Sequence, residues 1–255
     1  MAVIATGDWL VEEWGRPLNL LKKTKAISEK NALSFYKYLQ THGMYAPNRS
    51  TEKEVHMLLN EDPWKCMRKY ESVYQKKWRG PEVDIYIFPA KTTSPLFLRG
   101  MRQSGLAFKD RLFLFLAHEE KEKWESLFVH EYHHATRMSF LNKKEEEYTL
   151  LDSIVFEGLA ESAVLEYCGV ECIAPWMKAY SEEQLKIWWE KWLKDYINIK
   201  KDSSNHDHLL YGKGRMPKHL GYAVGFLITQ DYLKKKKKSI KEVFSTPSEE
   251  FLPDW

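Results

Sequence analysis

Apolar residues recur at three- and four-residue intervals along most of the chain. In one stretch near the middle they run at two-residue or unbroken spacing. The first pattern predicts amphipathic helices and the second predicts strands. Residues 17–39 carry Leu20, Leu21, Ile27, Leu33, Phe35 and Leu39 at helical spacing. Thr51 with Glu54 forms a capping box, expected to open a short helix through Val55, Leu58 and Leu59. Asp62 before Pro63 reads as an N-cap and first helical residue. The helix they start shows Trp64, Met67, Tyr70, Tyr74 and Trp78 on one face, and Gly80 with Pro81 stops it. Residues 84–89 are aromatic and β-branched and predict a strand; 96–98, 105–108 and 111–117 predict three more in one small mixed or antiparallel sheet.

Helical spacing returns over 121–140 and 146–167. Ser181 with Gln184 is a capping box for a further helix rich in Trp188, Trp189 and Trp192. Residues 203–215 read as a polar loop with two glycines, and after Pro217 a helix runs through Tyr222, Phe226, Ile228 and Tyr232. It ends in five lysines, 234–238. These read as a solvated helix end favoured by the dipole, or alternatively as a polyanion patch. The expected class is α+β, mostly helical, in a single domain over 1–255. A helical part spans 1–80; the sheet and the later helices span 81–255.

Composition narrows the classes of function. The 255 residues are 44% hydrophobic, 29% charged and 14% aromatic, which excludes a disordered or low-complexity chain. No apolar run nears the roughly 20 residues of a spanning helix, so no membrane role is expected. Lys and Arg number 39 against 36 Asp and Glu, a balance that gives no case for nucleic acid. Three cysteines argue against a disulfide framework. Residues 1–8 lack a basic start and a long apolar core, so no signal peptide is expected and a cytoplasmic location is. Cys168 and Cys172, four apart, read as two core thiols, or alternatively as a pair meeting one metal.

One pentapeptide carries chemistry: His130, Glu131, Tyr132, His133, His134, an H-E-x-x-H pattern. Residues four apart lie one turn apart on one helical face, so both outer imidazoles can bind one ion. Glu131 can then reach a water activated by that ion and take its proton. Catalytic zinc needs three protein ligands and an open position. Downstream stands Glu157, Gly158, Leu159, Ala160, Glu161, beyond a turn at 142–144 that makes a helical hairpin. Glu157 falls at about the height of the two histidines and is preferred as third ligand over Glu161. Its apolar neighbours imply burial, and a buried carboxylate needs a partner. Glu161 is expected behind the metal, hydrogen-bonded to the far nitrogen of a ligand His. Gly158 in mid-helix costs about 1 kcal/mol against Ala, and close approach of helices at the metal would explain it. His133 points about 60° off the metal face, as a structural or a substrate-side residue.

With these residues the chain resembles a zincin metallopeptidase of the gluzincin type. It resembles more closely a bacterial family of predicted Zn-dependent proteases. The matching pieces are Asp62 to Trp64, Trp78 to Pro81 before the 84–88 strand, His130 to His134, Glu157 to Glu161, and Gly221, Tyr222, Ala223, Val224, Gly225. The resemblance implies a zincin-like fold with the sheet beside the motif helix, and one zinc per chain. It implies an edge strand over the cleft that pairs with the substrate backbone, a position occupied here by 111–117. It also implies an oxyanion donor from a downstream helix, Tyr222 first and His219 second. The expected activity is peptide hydrolysis, with a peptide or protein as substrate. The rival is a non-catalytic zincin-like protein that binds peptides or accompanies a chaperone. An intact Glu131 disfavours it.

Overall fold

The computed structural model describes residues 2–24, 31–91 and 103–255. Ile27 and the strand expected at 96–98 lie outside them. The fold is α+β, mostly helical with a small mixed sheet. Packing divides the chain into two compact units, Met1–Ala135 and Thr136–Trp255.

The first unit is built on the sheet. Its strands are β1 (Ala2–Val3), β2 (Asp84–Pro89), β3 (Ser104–Ala107) and β4 (Arg111–Leu116), in the order β1-β2-β4-β3. β1 and β4 run parallel to β2, and β3 runs antiparallel to β4. Ile85 to Phe88 and Leu112 to Leu116 are all buried, because parallel strands are covered on both faces and read as unbroken apolar runs. Tyr86 and Phe113, directly opposite in the register, stack at 5.0 Å. The expectation that 111–117 forms the sheet edge is corrected. β4 is paired on both sides, and β3 is the outer strand among the described residues.

Among the described residues, five α-helices stand between β1 and β2 in the chain: α1 (Thr6–Glu13), α2 (Pro17–Lys23), α3 (Ala32–Thr41), α4 (Arg49–Glu61) and α5 (Pro63–Trp78). Thr6 donates its hydroxyl to the Ile87 carbonyl and accepts from the Trp64 indole, which ties α1 and α5 to β2. The expected capping box at Thr51 is not the start of α4. Asn48 caps it, accepting from the Ser50 and Thr51 amides. Thr51 turns its hydroxyl to the Ala46 carbonyl, and Glu54 accepts from the His118 amide. Asp62 caps α5 as expected, accepting from the Lys65 amide.

The helix α6 (Trp124–Leu141) begins in the first unit and ends in the second. After Asn142, left-handed at φ 50, and a short 3-10 turn, Thr149 caps α7 (Leu150–Cys168) in a capping box with Asp152. The remaining helices are α8 (Glu182–Trp188), α9 (Ser204–Tyr211) and α10 (Leu220–Lys236). The Ser181 capping box is present, but a π turn at Trp189–Leu193 replaces the rest of the tryptophan-rich helix. The loop expected at 203–215 contains α9. Ser203 caps it, Gly212 stops it at φ 64, and the burial of Leu209 and Leu210 outweighs its polar composition. Cys168 and Cys172 are half-buried rather than core residues, and neither is in a disulfide. The lysine run ends α10 in solvent, with Lys235 paired to Asp231 and Asp254.

α7 and α10 cross at a glycine contact. A Cβ on Gly158 would stand 2.2 Å from the Gly225 carbonyl oxygen, and one on Gly225 would stand 2.1 Å from that of Ile154. Gly158 therefore answers to α10, not to the motif helix as expected from sequence. The hydroxyl of Ser162 meets that of Thr229 one turn on, at 3.1 Å. Contacts thus advance together along both helices, which run parallel.

A buried ionic cluster fastens the C-terminal segment. Arg137, fully buried, donates to the carbonyls of Val243, Phe244 and Thr246. Burial lowers its pKa to about 10, with the Asp152 carboxylate acting the other way, so it stays charged at neutral pH. Asp152 accepts from Ser248 (2.6 Å), the Thr149 amide (3.0 Å) and Lys143 (3.0 Å). Burial works against its ionised form, but these bonds prevail and hold its pKa below the ordinary value.

Two outcomes are expected. Gly158→Ala should destabilise by about 1–3 kcal/mol despite the better helix propensity of Ala, because backbone atoms cannot step aside; urea unfolding measures it. Because the Asp152 pKa is depressed by folding, its contribution is full above the unfolded value of about 3.9 and is lost as pH falls through the folded one. Asp152→Asn should therefore lower the urea midpoint at pH 7 and reduce its fall between pH 5 and pH 3.

Candidate metal centre

Nothing in α6 interrupts the helical ladder, so His130 and His134 stand one turn apart, both half-buried. Their rings meet edge to face at 4.7 Å, with the two Nε2 atoms 3.1 Å apart. An ion about 2.0–2.1 Å from each nitrogen in a tetrahedral sphere would hold them roughly 3.3 Å apart, so the pair suits one ion. A carboxylate oxygen of Glu157 joins them, and the three ligand atoms all lie within 4.8 Å of one another. Two imidazoles and a carboxylate are a donor set for zinc. Among the described residues this is the one such group of three or more His, Cys, Asp or Glu side chains.

The opposite side of α6 fixes its rotation. Tyr132 is fully buried, stacks on Trp78 at 5.7 Å and donates to the Pro81 carbonyl. His133 is fully buried too, edge-on to Trp78 at 6.0 Å, which makes it structural rather than substrate-side. Glu131, beside the first ligand candidate, is 7% exposed. Gly105 of β3 lies against its side chain: a Cβ there would stand 2.4 Å from Glu131 Cγ. Sequence reasoning passed over Gly105; the available signal was a glycine inside a strand, which marks a bulge or a close approach.

Glu161 is buried and accepts from the Ala174 amide at 3.0 Å, a bond to a loop backbone. Tyr222 and His219 belong to α10 and its N-terminus. His219 adopts a left-handed backbone, stacks on Trp176 at 4.4 Å and meets Tyr222 edge-on at 5.8 Å. Burial, aided by the Lys218 charge, lowers its pKa, so its ring is neutral at pH 7. Each helical residue turns about 100°, and α7 and α10 run parallel with Gly158 and Gly225 face to face. Stepping back one residue from Gly158 and three from Gly225 brings Glu157 and Tyr222 to the same side of the helix pair. They lie about one turn apart along its axis.

The chain as a whole is similar to known proteins. No solved structure matches the chain. It is 39% identical over 226 residues to the uncharacterized protein YjaZ of Bacillus subtilis (strain 168), covering 88% of this chain and 87% of that one. It is 29% identical over 126 residues to the uncharacterized protein YjfC of the same organism, covering 46% and 42%. The profile of a family described as predicted Zn-dependent protease (DUF2268) matches residues 63–253, which takes in the motif helix, Glu157 and Tyr222. On that match and on the likeness to YjaZ, the chain belongs to the predicted Zn-dependent protease family DUF2268.

Proposed function

We propose that the chain is a zinc metallopeptidase that hydrolyses peptide bonds, with one zinc held by His130, His134 and Glu157. The observation that carries this reading is the convergence of those three donors within 4.8 Å, with a carboxylic acid next in the chain to the first. Zinc, when bound, supplies a Lewis acid that polarises a carbonyl and acidifies a water. Glu131 takes the proton of the attacking water and returns it to the leaving amine. Its near-complete burial keeps bulk water from competing for that proton. Tyr222, on the side of the helix pair that bears Glu157, donates its hydroxyl to the developing oxyanion. His219, neutral and stacked on Trp176, holds the Tyr222 ring in place. Glu161 ties α7 to the backbone at Ala174 and steadies the helix that presents Glu157. A peptide or protein is the substrate. A reducing, cytoplasmic location belongs to the same reading, supported by three cysteines that form no disulfide.

Metal analysis tests the site. The purified protein should hold about one zinc per chain, and His134→Ala and Glu157→Ala should each lose most of it. Glu161→Ala should keep the metal and lose only about 10–100-fold in affinity. The reverse ranking of the two carboxylates would make Glu161 the ligand.

Turnover is tested with Glu131→Gln, which keeps size but cannot accept a proton. It should retain zinc and fold while hydrolysis of a quenched peptide pool drops on the order of 10²–10⁴-fold. Equal rates would remove Glu131 from the chemistry. Zinc and peptide binding without any cleavage by the wild type would establish the non-catalytic scaffold instead.

A further inference from the structure

We propose that Gly105 is a positioning residue for Glu131: by having no side chain it lets the outer strand β3 press on the carboxylate and set where it points. The proposal rests on the peptidase reading above. A Cβ at position 105 would stand 2.4 Å from Cγ, 2.6 Å from Cδ and 2.8 Å from Oε1 of Glu131. Carbon atoms in contact prefer about 3.5–4.0 Å, so any side chain here must displace the carboxylate by roughly 1 Å.

Neither backbone can give way instead. β3 pairs with β4 through Ser104 opposite Phe115 and Gly105 opposite Leu114. Ser104 also donates its hydroxyl to the His42 carbonyl at the end of α3, at 2.7 Å. The chain leaves α3 through Gly43, whose φ of 106 suits glycine and whose Cβ would come within 2.1 Å of that hydroxyl. Two side-chain-free positions in series thus seat β3 against the end of α3 on one side and against Glu131 on the other. α6, for its part, is held by the Tyr132 stack on Trp78 and its bond to Pro81. The soft part of the contact is the Glu131 side chain itself, so an added methyl should turn the carboxylate and leave the fold standing. A glycine weakens the interior of a strand, and clearance for the proton-transferring group is the physical reason for one here.

A two-part experiment tests this. The first part reads thermal unfolding and zinc content of the wild type, Gly105→Ala, Glu131→Ala and the double variant. If the methyl collides with Glu131, Gly105→Ala should cost stability in the wild-type background and none once Glu131 is truncated, with zinc kept throughout. This reading survives even if Gly105→Ala alone folds poorly, because the double variant should fold. The second part reads cleavage of a quenched peptide pool. Gly105→Ala should lose about 100-fold in kcat with KM little changed, the scale expected for a misplacement of about 1 Å. Glu131→Asp withdraws the carboxylate by one methylene, so Gly105→Ala combined with it should be no slower than Glu131→Asp alone. Multiplying losses, equal stability costs in both backgrounds, or a fully active Gly105→Ala would each overturn the role of Gly105. A wild type that binds zinc and cleaves nothing would overturn the peptidase reading, and the positioning role with it.

Discussion

Burial of charge is the constraint on which the rest of the structure depends. α7 is apolar almost all round and lies deep in the second unit, yet it brings Asp152, Glu157 and Glu161 with it. An ionised carboxylate in such surroundings is tolerable only with close, geometrically satisfied partners. Asp152 has them in Lys143, Ser248 and the cap of its own helix, and Glu161 has the Ala174 amide. Glu157 lies with two imidazole nitrogens, a set that an added cation would complete. The same rule explains Arg137, the one fully buried guanidinium among the described residues, which is met by backbone carbonyls from the C-terminal segment.

Close packing then converts these satisfied helices into a defined site. The glycine crossing of α7 and α10 brings the two backbones together, and with them Glu157 and Tyr222 on one side of the pair. In the first unit, aromatic stacking of Tyr132 on Trp78 fixes the rotation of α6, so the histidine face of that helix is set by its buried face. Glu131 lies on the same helix, against Gly105 of β3. The candidate site residues are thus oriented by packing contacts of neighbouring residues such as Tyr132 and Gly158.

Much of this was legible in the chain. A run such as 111–116, apolar without alternation, announces a strand covered on both faces. The spacing of His130 and His134 announces two imidazoles on one helical face that could hold a metal, because helix geometry alone puts four-apart residues on one face. Asp62–Pro63, Ser181 and the glycine in mid-α7 were local signals that the structure carries. The start of α4 was misread because Asn48 and Thr51 are both good cap residues, and only the positions of Ala46 and His118 choose between them. α9 was missed because its apolar content is two leucines, whose burial depends on what packs against them.

The sequence by itself determined what each element is and which residue types it offers: a histidine pair with an acid beside it, a second helix rich in carboxylates, and a short apolar sheet. These follow from dihedral preference and residue spacing, which are local. Only the tertiary structure decided which strand is outermost, that Gly158 faces α10, that Glu161 bonds to a loop, and that Gly105 lies on Glu131. Those are contacts between residues far apart in the chain, and their selection rests on the packing of the whole, where a single methyl or a single unpaired charge changes which arrangement is lowest in free energy.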